Sequence, residues 1–309
     1  MKCKKCNNGV LINDLCNDHF IEYFENIVKK TIKEYNLIEK DDKIIVATSG
    51  GKDSITILYL LNKFYNNVEA LCIDEGIKGY RSKTLLTLKQ FCKEYNIKLN
   101  VYSYKKEFGH SLDYFMDLIS KYNKIKKLNI KPCTICGIFR RYMINKYSTG
   151  FDKSATGHNL DDESQAILMN LLKNQIPILA RFGPLTGISN ENLFVPRIKP
   201  LYFLSEKEIL TYSYLKKFDL FYTECPYVPQ AFRAEVRDNL NEISKSKTNE
   251  IKLNIVNNFL EISKKLKSKY KDTIQINYCT ICNIATNKKI CNKCELIEKI
   301  NMVKKECKL

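Results

Sequence analysis

No apolar run in this sequence approaches the roughly 18 residues that a membrane-spanning helix needs. The opening residues, MKCKKCNNGV, also lack the apolar core of a secretion signal. The expectation is therefore a cytoplasmic chain with no membrane partner. Acidic residues are in short supply: 34 Asp and Glu face 51 Lys and Arg, a formal net charge of +17. A surplus of that size favours a polyanionic partner, most simply a nucleic acid. Part of the lysine belongs to a Lys-, Ile- and Asn-rich composition of the kind AT-rich genomes encode, so charge alone does not name the partner. Internal repeats are absent apart from a cysteine-rich module near each end. Thirteen cysteines with no export signal argue against a disulfide framework, and their spacing argues for metal.

The chain has 309 residues, 44% of them hydrophobic, which is room for one large or two ordinary domains. Its organising stretch is Ser49-Gly50-Gly51-Lys52-Asp53-Ser54. Before it, Lys43–Ala47 reads as a buried parallel strand. After it, Ile57, Leu58, Leu61 and Phe64 follow helical spacing. In a strand, Gly-rich turn and helix, the backbone N–H groups form an anion-binding concavity, and adjacent glycines let a ligand approach closely. The Walker spacing before Gly-Lys-Ser/Thr is missing. SGGKDS instead resembles the pyrophosphate loop (PP-loop) of the ATP pyrophosphatases, which implies cleavage of ATP between its α and β phosphates.

Strand and helix then alternate to about residue 175. Val68–Asp74 and Ile97–Tyr102 read as strands and Ser82–Tyr95 as a helix with Leu85, Leu88 and Cys92 on one face. HSLDYFMDLIS reads as a helix and Lys121–Lys131 as an exposed basic loop. Ser154–Thr156 ends a fourth strand and leads into Gly157-His158-Asn159-Leu160-Asp161-Asp162. A helix carrying Ile167, Leu168, Leu171 and Leu172 follows. The pattern predicts an α/β fold, a doubly wound parallel sheet, with its ligand at the carboxyl ends of the strands. Residues 176–203 read as a connection rather than a core element. SEKE opens a helix over Ser205–Lys217 with a capping box. Further helices are expected over Phe232–Ile243 and about 249–267, the latter with Ile255, Phe259, Ile262 and Leu266 in register.

Cys3, Cys6, Cys16 and His19 have the spacing of a tetrahedral zinc site, and Cys279, Cys282, Cys291 and Cys294 that of a zinc ribbon. These predict zinc modules at both ends, over 1–25 and within 246–309, around a catalytic body over 26–245. Cys72 and Cys92 read as buried thiols, and Cys307 has no paired partner. Cys133-Thr-Ile-Cys136 has no second pair; the next thiol is Cys225. Three thiolates could hold a [4Fe–4S] cluster with one iron lacking a protein ligand, open to a sulfide. Alternatively, two of these thiols carry a persulfide, or the CxxC only begins a helix.

SGGKDS, CTICG, TGHNLDDE and TECPY, in this order and with a zinc module at each end, resemble the tRNA 2-thiouridine synthetases of the TtcA/TtuA group. The resemblance spans nearly the whole chain and implies an adenine nucleotide alpha hydrolase-like fold. ARFGP, RIKPLYFLSEKEI and TECPYVPQAFRAEVRDNL look most like the archaeal NcsA and cytosolic-thiouridylase branch, which acts on the wobble uridine, position 34. The TtuA branch acts on position 54 and carries the same zinc modules. By resemblance, Ala47, Ser49, Gly50, Gly51, Lys52, Asp53 and Ser54 hold ATP, with Ile73 on the adenine side and Gly157 and Asp162 at the nucleotide. Cys133, Cys136 and Cys225 hold the cluster. Lys52, Asp53, Arg140 and Asp161 serve the chemistry, and Asp161 or Asp162 could hold Mg²⁺ or orient the nucleotide. Arg140 stands where TtuA has a catalytic lysine, which keeps a phosphate role and puts proton transfer in doubt.

The implied reaction is adenylation of O2 of uridine followed by sulfide transfer. The implied partners are tRNA, a sulfur donor (a ubiquitin-like thiocarboxylate or free sulfide) and a second copy in a homodimer. A PP-loop ligase or amidating enzyme without a cluster, of the lysidine-synthetase kind, leaves the CTIC and TECPY cysteines unexplained. A non-catalytic zinc nucleic-acid-binding protein leaves SGGKDS unexplained.

Overall fold

Ile44, Ile45 and Val46 have almost no exposure, and they form the centre of a six-stranded sheet. The computed structural model describes residues 2–123, 130–186, 194–221, 223, 225–227, 232–244, 250–270 and 276–306. The strands are β1 (Ile44–Thr48), β2 (Val68–Asp74), β3 (Lys98–Ser103), β4 (Lys153–Thr156), β5 (Leu185–Thr186) and β6 (Arg197–Ile198). Their order is β3-β2-β1-β4-β6-β5, parallel except for β5 at the edge. Thus β1 has β2 on one side and β4 on the other, and SGGKDS and Gly157 emerge beside each other at one sheet edge.

Successive side chains of a strand point to opposite faces, and the two cores follow that alternation. Ile44, Val46, Ala70 and Cys72 join one cluster with α1 (Asn17–Glu34), α2 (Lys52–Phe64) and α3 (Arg81–Glu94). Ile45, Leu71 and Ile73 join the other, with α4 (Tyr104–Phe108), α5 (Leu112–Asn123) and α6 (Pro132–Tyr147). The sheet is therefore covered on both faces, as a doubly wound fold requires. Cys72 and Cys92 are buried in the first cluster. Lys121 to Asn123 belong to α5 rather than to a loop, and 124–129, the middle of the expected basic loop, lie outside the described residues.

Residues 176–203 depart from the expectation of a mere connection. They supply α8 (Ile176–Leu179), β5 and β6, and Ile198, Leu201 and Tyr202 are fully buried. Strands of two residues carry too little periodicity to be read from sequence. α7 (Leu160–Leu172) also differs: Leu171 and Leu172 are 51% and 65% exposed, whereas Asp161, Glu163, Ser164 and Gln165 are buried. Leu160 and Ile167 are buried with them, so the inward face joins an apolar seat to polar residues at the functional edge. The remaining helices are α9 (Glu206–Leu215), which keeps the expected Ser205/Glu208 capping box, α10 (Phe232–Ser244), α11 (Glu250–Tyr270) and α12 (Asn292–Glu306). In α11 the buried positions are Lys252, Val256, Phe259 and Ser263, while Ile262 is 55% exposed. Phe259 is buried and Ile255 and Leu266 pack on the same core, as expected; Ile262 departs, and Lys252 joins the buried face.

The terminal modules close on their own donors. The four donor atoms of Cys3, Cys6, Cys16 and His19 lie within 4.8 Å of one another, as do those of Cys279, Cys282, Cys291 and Cys294. A tetrahedron with Zn–S near 2.3 Å has edges of roughly 3.8 Å. The Cys6–Cys16 and Cys282–Cys291 sulfur separations are both 3.6 Å. α1 leads from the first module into the body, running without a break across the 25/26 boundary. The second module includes the hairpin of β7 (Asn277–Tyr278) and β8 (Ala285–Thr286), and α12 leads from it into the second core.

Candidate active site

The turn after β1 is built for close approach. Gly50 has φ +84°, and a Cβ there would meet the Thr84 carbonyl oxygen at 2.4 Å. Both reasons demand glycine. The Ser49 N–H donates to the Ser54 hydroxyl at 3.1 Å, the Gly51 N–H to the Ser49 hydroxyl at 3.3 Å, and the Ser54 hydroxyl to the Gly51 carbonyl at 2.9 Å. The turn is thereby shaped before any ligand arrives, at the N-terminus of α2, where anions are favoured.

The Gly157 turn presses against it. A Cβ at Gly157 would lie 2.8 Å from the Asp53 backbone carbonyl, and the Asn159 amide donates to Asp53 Oδ1 at 3.1 Å. Lys52 Nζ lies 3.2 Å from Asp53 Oδ2 and 2.6 Å from Glu206 Oε1. Burial raises the Asp53 carboxyl above its usual range and Asp162 adds to this, with Lys52 offsetting only part. Burial would lower Lys52, but Asp53 and Glu206 more than reverse it, so the ammonium stays charged.

The two aspartates at the start of α7 have separate partners. Asp161 accepts from the Glu206 N–H at 2.8 Å and is ion-paired with the buried Lys252 of α11. Asp162 caps α7 through Asn159 and accepts from Arg233 Nη2 of α10 at 2.6 Å. Three residues from α9, α10 and α11 therefore complete the site. None stands near SGGKDS in the chain; only the charged residues on otherwise amphipathic helices hinted at them.

A second network, absent from the sequence reading, joins the loop to the lone CxxC. Glu75, 4% exposed, follows β2 and bridges two arginines: Arg81 Nε at 3.0 Å and Arg140 Nη2 at 2.9 Å. Arg81 is itself buried and donates to the Ser49 carbonyl and the Ile73 carbonyl, each at 2.6 Å, and to Cys72 Sγ at 2.7 Å. Arg140 donates to Cys136 Sγ at 3.2 Å. Glu75, then burial acting in the opposite sense, set the Arg140 charge, and the net shift is upward. A permanently protonated guanidinium beside a sulfur can bind phosphate or stabilise anionic sulfur, and cannot act as a base. The legible signal was the acid pair Asp74-Glu75 at the same sheet edge as the PP-loop. The carbonyl of Ile73, expected on the adenine side, is taken up by Arg81.

The three remaining thiols sit together without collapsing onto one point. Cys136 and Cys225 pack against the same core, and the Cys133 thiol donates to the Tyr227 carbonyl at 3.7 Å. Tyr227 is anchored in turn by its hydroxyl, which donates to Asp113 at 2.8 Å. Burial raises both the Cys136 and Cys225 thiols, with Arg140 offsetting part. Among the described residues, the gathered donor groups are only the two terminal ones. Three soft donors spread over a wider opening fit a cluster, which is larger than a single ion. Glu224, within TECPY, lies outside the described residues.

A parallel sheet, a preshaped Ser-Gly-Gly turn at its carboxyl edge and carboxylates around it define an α/β nucleotide-binding protein. The PP-loop domain family matches residues 20–243. A tRNA-5-methyluridine(54) 2-sulfurtransferase of Pyrococcus horikoshii is 35% identical over 303 residues, covering 96% of this chain and 93% of that protein. Cytoplasmic tRNA 2-thiolation protein 1 of Drosophila sechellia is 33% identical, covering 97% and 88%. Among solved structures, the U34-tRNA thiolase NcsA of Methanococcus maripaludis with its [4Fe-4S] cluster superposes with TM-score 0.79 at 29% identity, covering 97% of this chain and 96% of that one. The chain belongs to the PP-loop family of tRNA 2-thiolation proteins. Among its described residues, no helix is long and apolar enough to cross a membrane.

Proposed function

We propose that this protein is an ATP-dependent tRNA-uridine 2-sulfurtransferase of the cytoplasm. The observation that carries the reading is the Arg81–Glu75–Arg140 bridge, which ties the nucleotide loop to Cys136. A ligase that handled no sulfur would have no use for that link, and a non-catalytic zinc protein would have no use for the preshaped turn.

In this reading the N–H groups of Ser49–Ser54 would take the pyrophosphate end of ATP, and Asp53 would help to hold Mg²⁺. Lys52 leaves Glu206 for the phosphates. O2 of the uridine attacks the α-phosphorus, the bond to the β-phosphate oxygen breaks, and pyrophosphate leaves. Lys52 and Arg140 offset charge as that bond breaks. A sulfur nucleophile then adds at C2, the C2–O bond breaks, and AMP departs. Cys133, Cys136 and Cys225 would hold a [4Fe–4S] cluster, which when bound supplies an iron with no protein thiolate, open to sulfide. Asp161 and Asp162 act mainly as anchors, since Lys252, Glu206 and Arg233 already engage them. The terminal donor sets would each hold one Zn²⁺, bracketing a catalytic body over about 26–245.

We read the wobble uridine, position 34, as the target, from the likeness of RIKPLYFLSEKEI and TECPYVPQAFRAEVRDNL to the NcsA branch; the relatives include enzymes named for either position. Homodimerisation and a thiocarboxylate or sulfide donor rest on the resemblance alone. The test is anaerobic: iron and acid-labile sulfide per chain, then thiolation of unmodified tRNA with ATP, mapped by mass spectrometry. About four irons and 2-thiouridine at position 34 support the reading. Thiolation at 54 moves the target, and ATP turnover without sulfur transfer refutes the function.

A further inference from the structure

Three histidines occur in this chain. His19 belongs to the N-terminal donor set, and His110 is stacked on Tyr114 at 3.7 Å. His158 remains, half-buried in the Gly157 turn, with Nδ1 2.8 Å from the Thr156 hydroxyl. Its neighbours in the chain both press on the PP-loop: a Cβ at Gly157 would meet the Asp53 carbonyl at 2.8 Å, and the Asn159 amide donates to Asp53.

Strand alternation decides which face this turn serves. Ala155 joins the first core, so Ser154 and Thr156 belong to the opposite face. The contacts agree. The Ser148 hydroxyl, at the end of α6, donates to the Ser154 hydroxyl at 3.4 Å. Thr156 pairs with Ala47, which packs on the second core with Cys136 and Cys225. From Ser148, α6 runs back toward the carboxyl edge, where Arg140 meets Glu75 beyond β2 and donates to Cys136. β1, which carries the PP-loop, lies between β2 and β4. The His158 turn and the Glu75–Arg140 pair therefore flank the loop on the face of the sulfur site, two strand spacings or about 10 Å apart. A gap of that width admits a pyrimidine ring.

The chemistry calls for a proton acceptor here. When O2 of uridine bonds to phosphorus, the ring becomes a cation unless N3 gives up its proton. Arg140 is permanently charged and cannot take it. The carboxylates at this edge already hold cations: Asp53 holds Lys52, Glu75 two arginines, Asp161 Lys252, Asp162 Arg233 and Glu163 Lys199. A carboxylate so paired is a weak base. Burial, then the charges of Lys199, Arg233, Arg197 and Arg140, push His158 well below its ordinary value and keep the ring neutral. Such an imidazole is a weak base toward uridine itself. The N3–H of an O2-phosphorylated ring is far more acidic, and the imidazolium that forms returns its proton readily.

We propose that His158 is a catalytic residue of uridine activation, whose Nε2 takes the N3 proton as O2 attacks the α-phosphorus. Nδ1–H donates to the Thr156 hydroxyl, which fixes that tautomer. The O2–phosphorus bond forms, the bond to the β-phosphate oxygen breaks, and the imidazolium keeps the proton. Once sulfur has added at C2 and the C2–O bond breaks, the proton returns to N3 and the imidazole is neutral again. The proposal rests on the thiolation reading above.

The experiment uses the anaerobically prepared full-length protein. It measures tRNA-dependent pyrophosphate release and 2-thiouridine formation, on an ordinary transcript and on one with 5-fluorouridine in place of uridine, whose N3–H is more acidic. His158→Ala should slow pyrophosphate release from the ordinary transcript about 100-fold or more. ATP and tRNA affinities should stay within about twofold, with zinc and iron unchanged. The gap to wild type should narrow on the fluorinated transcript, and added imidazole should restore part of the rate. Thr156→Val should show a smaller loss of the same kind. If His158→Ala does not fold, as zinc content and melting would reveal, His158→Gln carries the same tests. A variant within about threefold of wild type on the ordinary transcript overturns the proposal. So does a loss that is equal on both transcripts and unmoved by imidazole, or one that lies wholly in ATP or tRNA affinity. Wild-type protein that makes no 2-thiouridine overturns the function and this role with it, whereas a silent His158→Ala beside an active wild type overturns the role alone.

Discussion

Eleven cysteine or histidine side chains of this chain gather in two contrasting settings. At each terminus four donors converge to within 4.8 Å, and seven of those eight residues are cysteines, all buried or half-buried, alongside one His. Around α6, three thiols stand apart, with Cys133 exposed and Cys136 and Cys225 half-buried. The terminal sets are closed on themselves and coordinatively complete, which suits a structural ion. The central set is incomplete, bears an arginine on one sulfur and adjoins a nucleotide turn. In the proposed function the same residue type serves folding at the ends and chemistry in the middle. What separates the two uses is the number of donors and the charge around them, and not the CxxC motif, which all three places share.

The comparison breaks most sharply at Cys225. Cys225→Ser should remove iron while leaving zinc at two per chain, and should cut thiolation by at least about 100-fold, beyond what loss of an outer-shell partner costs. Anaerobic metal analysis beside a thiolation assay checks it. Loss of zinc and iron together would mean that the sets are not independent. The converse variant, Cys282→Ser, should halve the zinc and leave iron in place. Structural zinc contributes on the order of 10 kcal/mol to the local fold it closes. The variant should therefore release the terminal ribbon, read as new proteolytic cleavage after residue 276, and destabilise the second core through α12.

A finer test concerns the arginine that marks the central set as chemical. Glu75→Gln keeps the volume and removes the charge that Arg81 and Arg140 share. Thiolation should fall roughly 10- to 100-fold, the usual scale for a partner that orients a site group. ATP affinity should weaken as well, because Arg81 also holds the Ser49 carbonyl. Equal kcat and KM in the variant would reduce Glu75 to a surface-independent packing role. A double variant with Arg140→Ala should lose little more than Arg140→Ala alone, since the two act as one unit.

How much of this was legible follows from the range of the interactions. The strand, turn and helix around SGGKDS, the alternation through β4, and both terminal donor sets are local patterns, and the structure reproduces them. The apolar reading of α11 holds at Ile255, Phe259 and Leu266 but does not reach Lys252, which turns inward to meet Asp161, 91 positions away. For the same reason α7 shows Leu171 and Leu172 to solvent and turns Asp161 and Glu163 inward. Residues 176–203 were misread because two strands of two residues each have no period to detect. Glu75 carries no local signal beyond its place beside a strand end, since its partners Arg81 and Arg140 become neighbours only when α3 and α6 pack on the sheet. Local patterning thus located the site, while its charge pairing depends on long-range topology.

The smallest effect tests whether the N-terminal zinc module is tied to the body by more than its metal. Glu25 on α1 is buried and accepts from Lys63 on α2 at 2.7 Å and from the Tyr212 hydroxyl on α9 at 2.9 Å. Burial alone would raise its carboxyl, but the bonds from Lys63 and Tyr212, with the charges of Lys63 and Lys216, overcome this and hold it below the ordinary 4.5. A carboxyl with a depressed folded-state pKa binds its proton more readily in the unfolded chain. Its contribution is therefore complete above about pH 4.5 and disappears as pH falls through the folded value. Glu25→Gln should cost on the order of 1 kcal/mol near neutrality and converge with wild type in acid. Denaturant titrations of both proteins from pH 7 down to pH 3 check this. A gap that persists unchanged at pH 3 would show that the carboxyl contributes through packing, alongside the Phe24–Tyr212 stack at 4.2 Å.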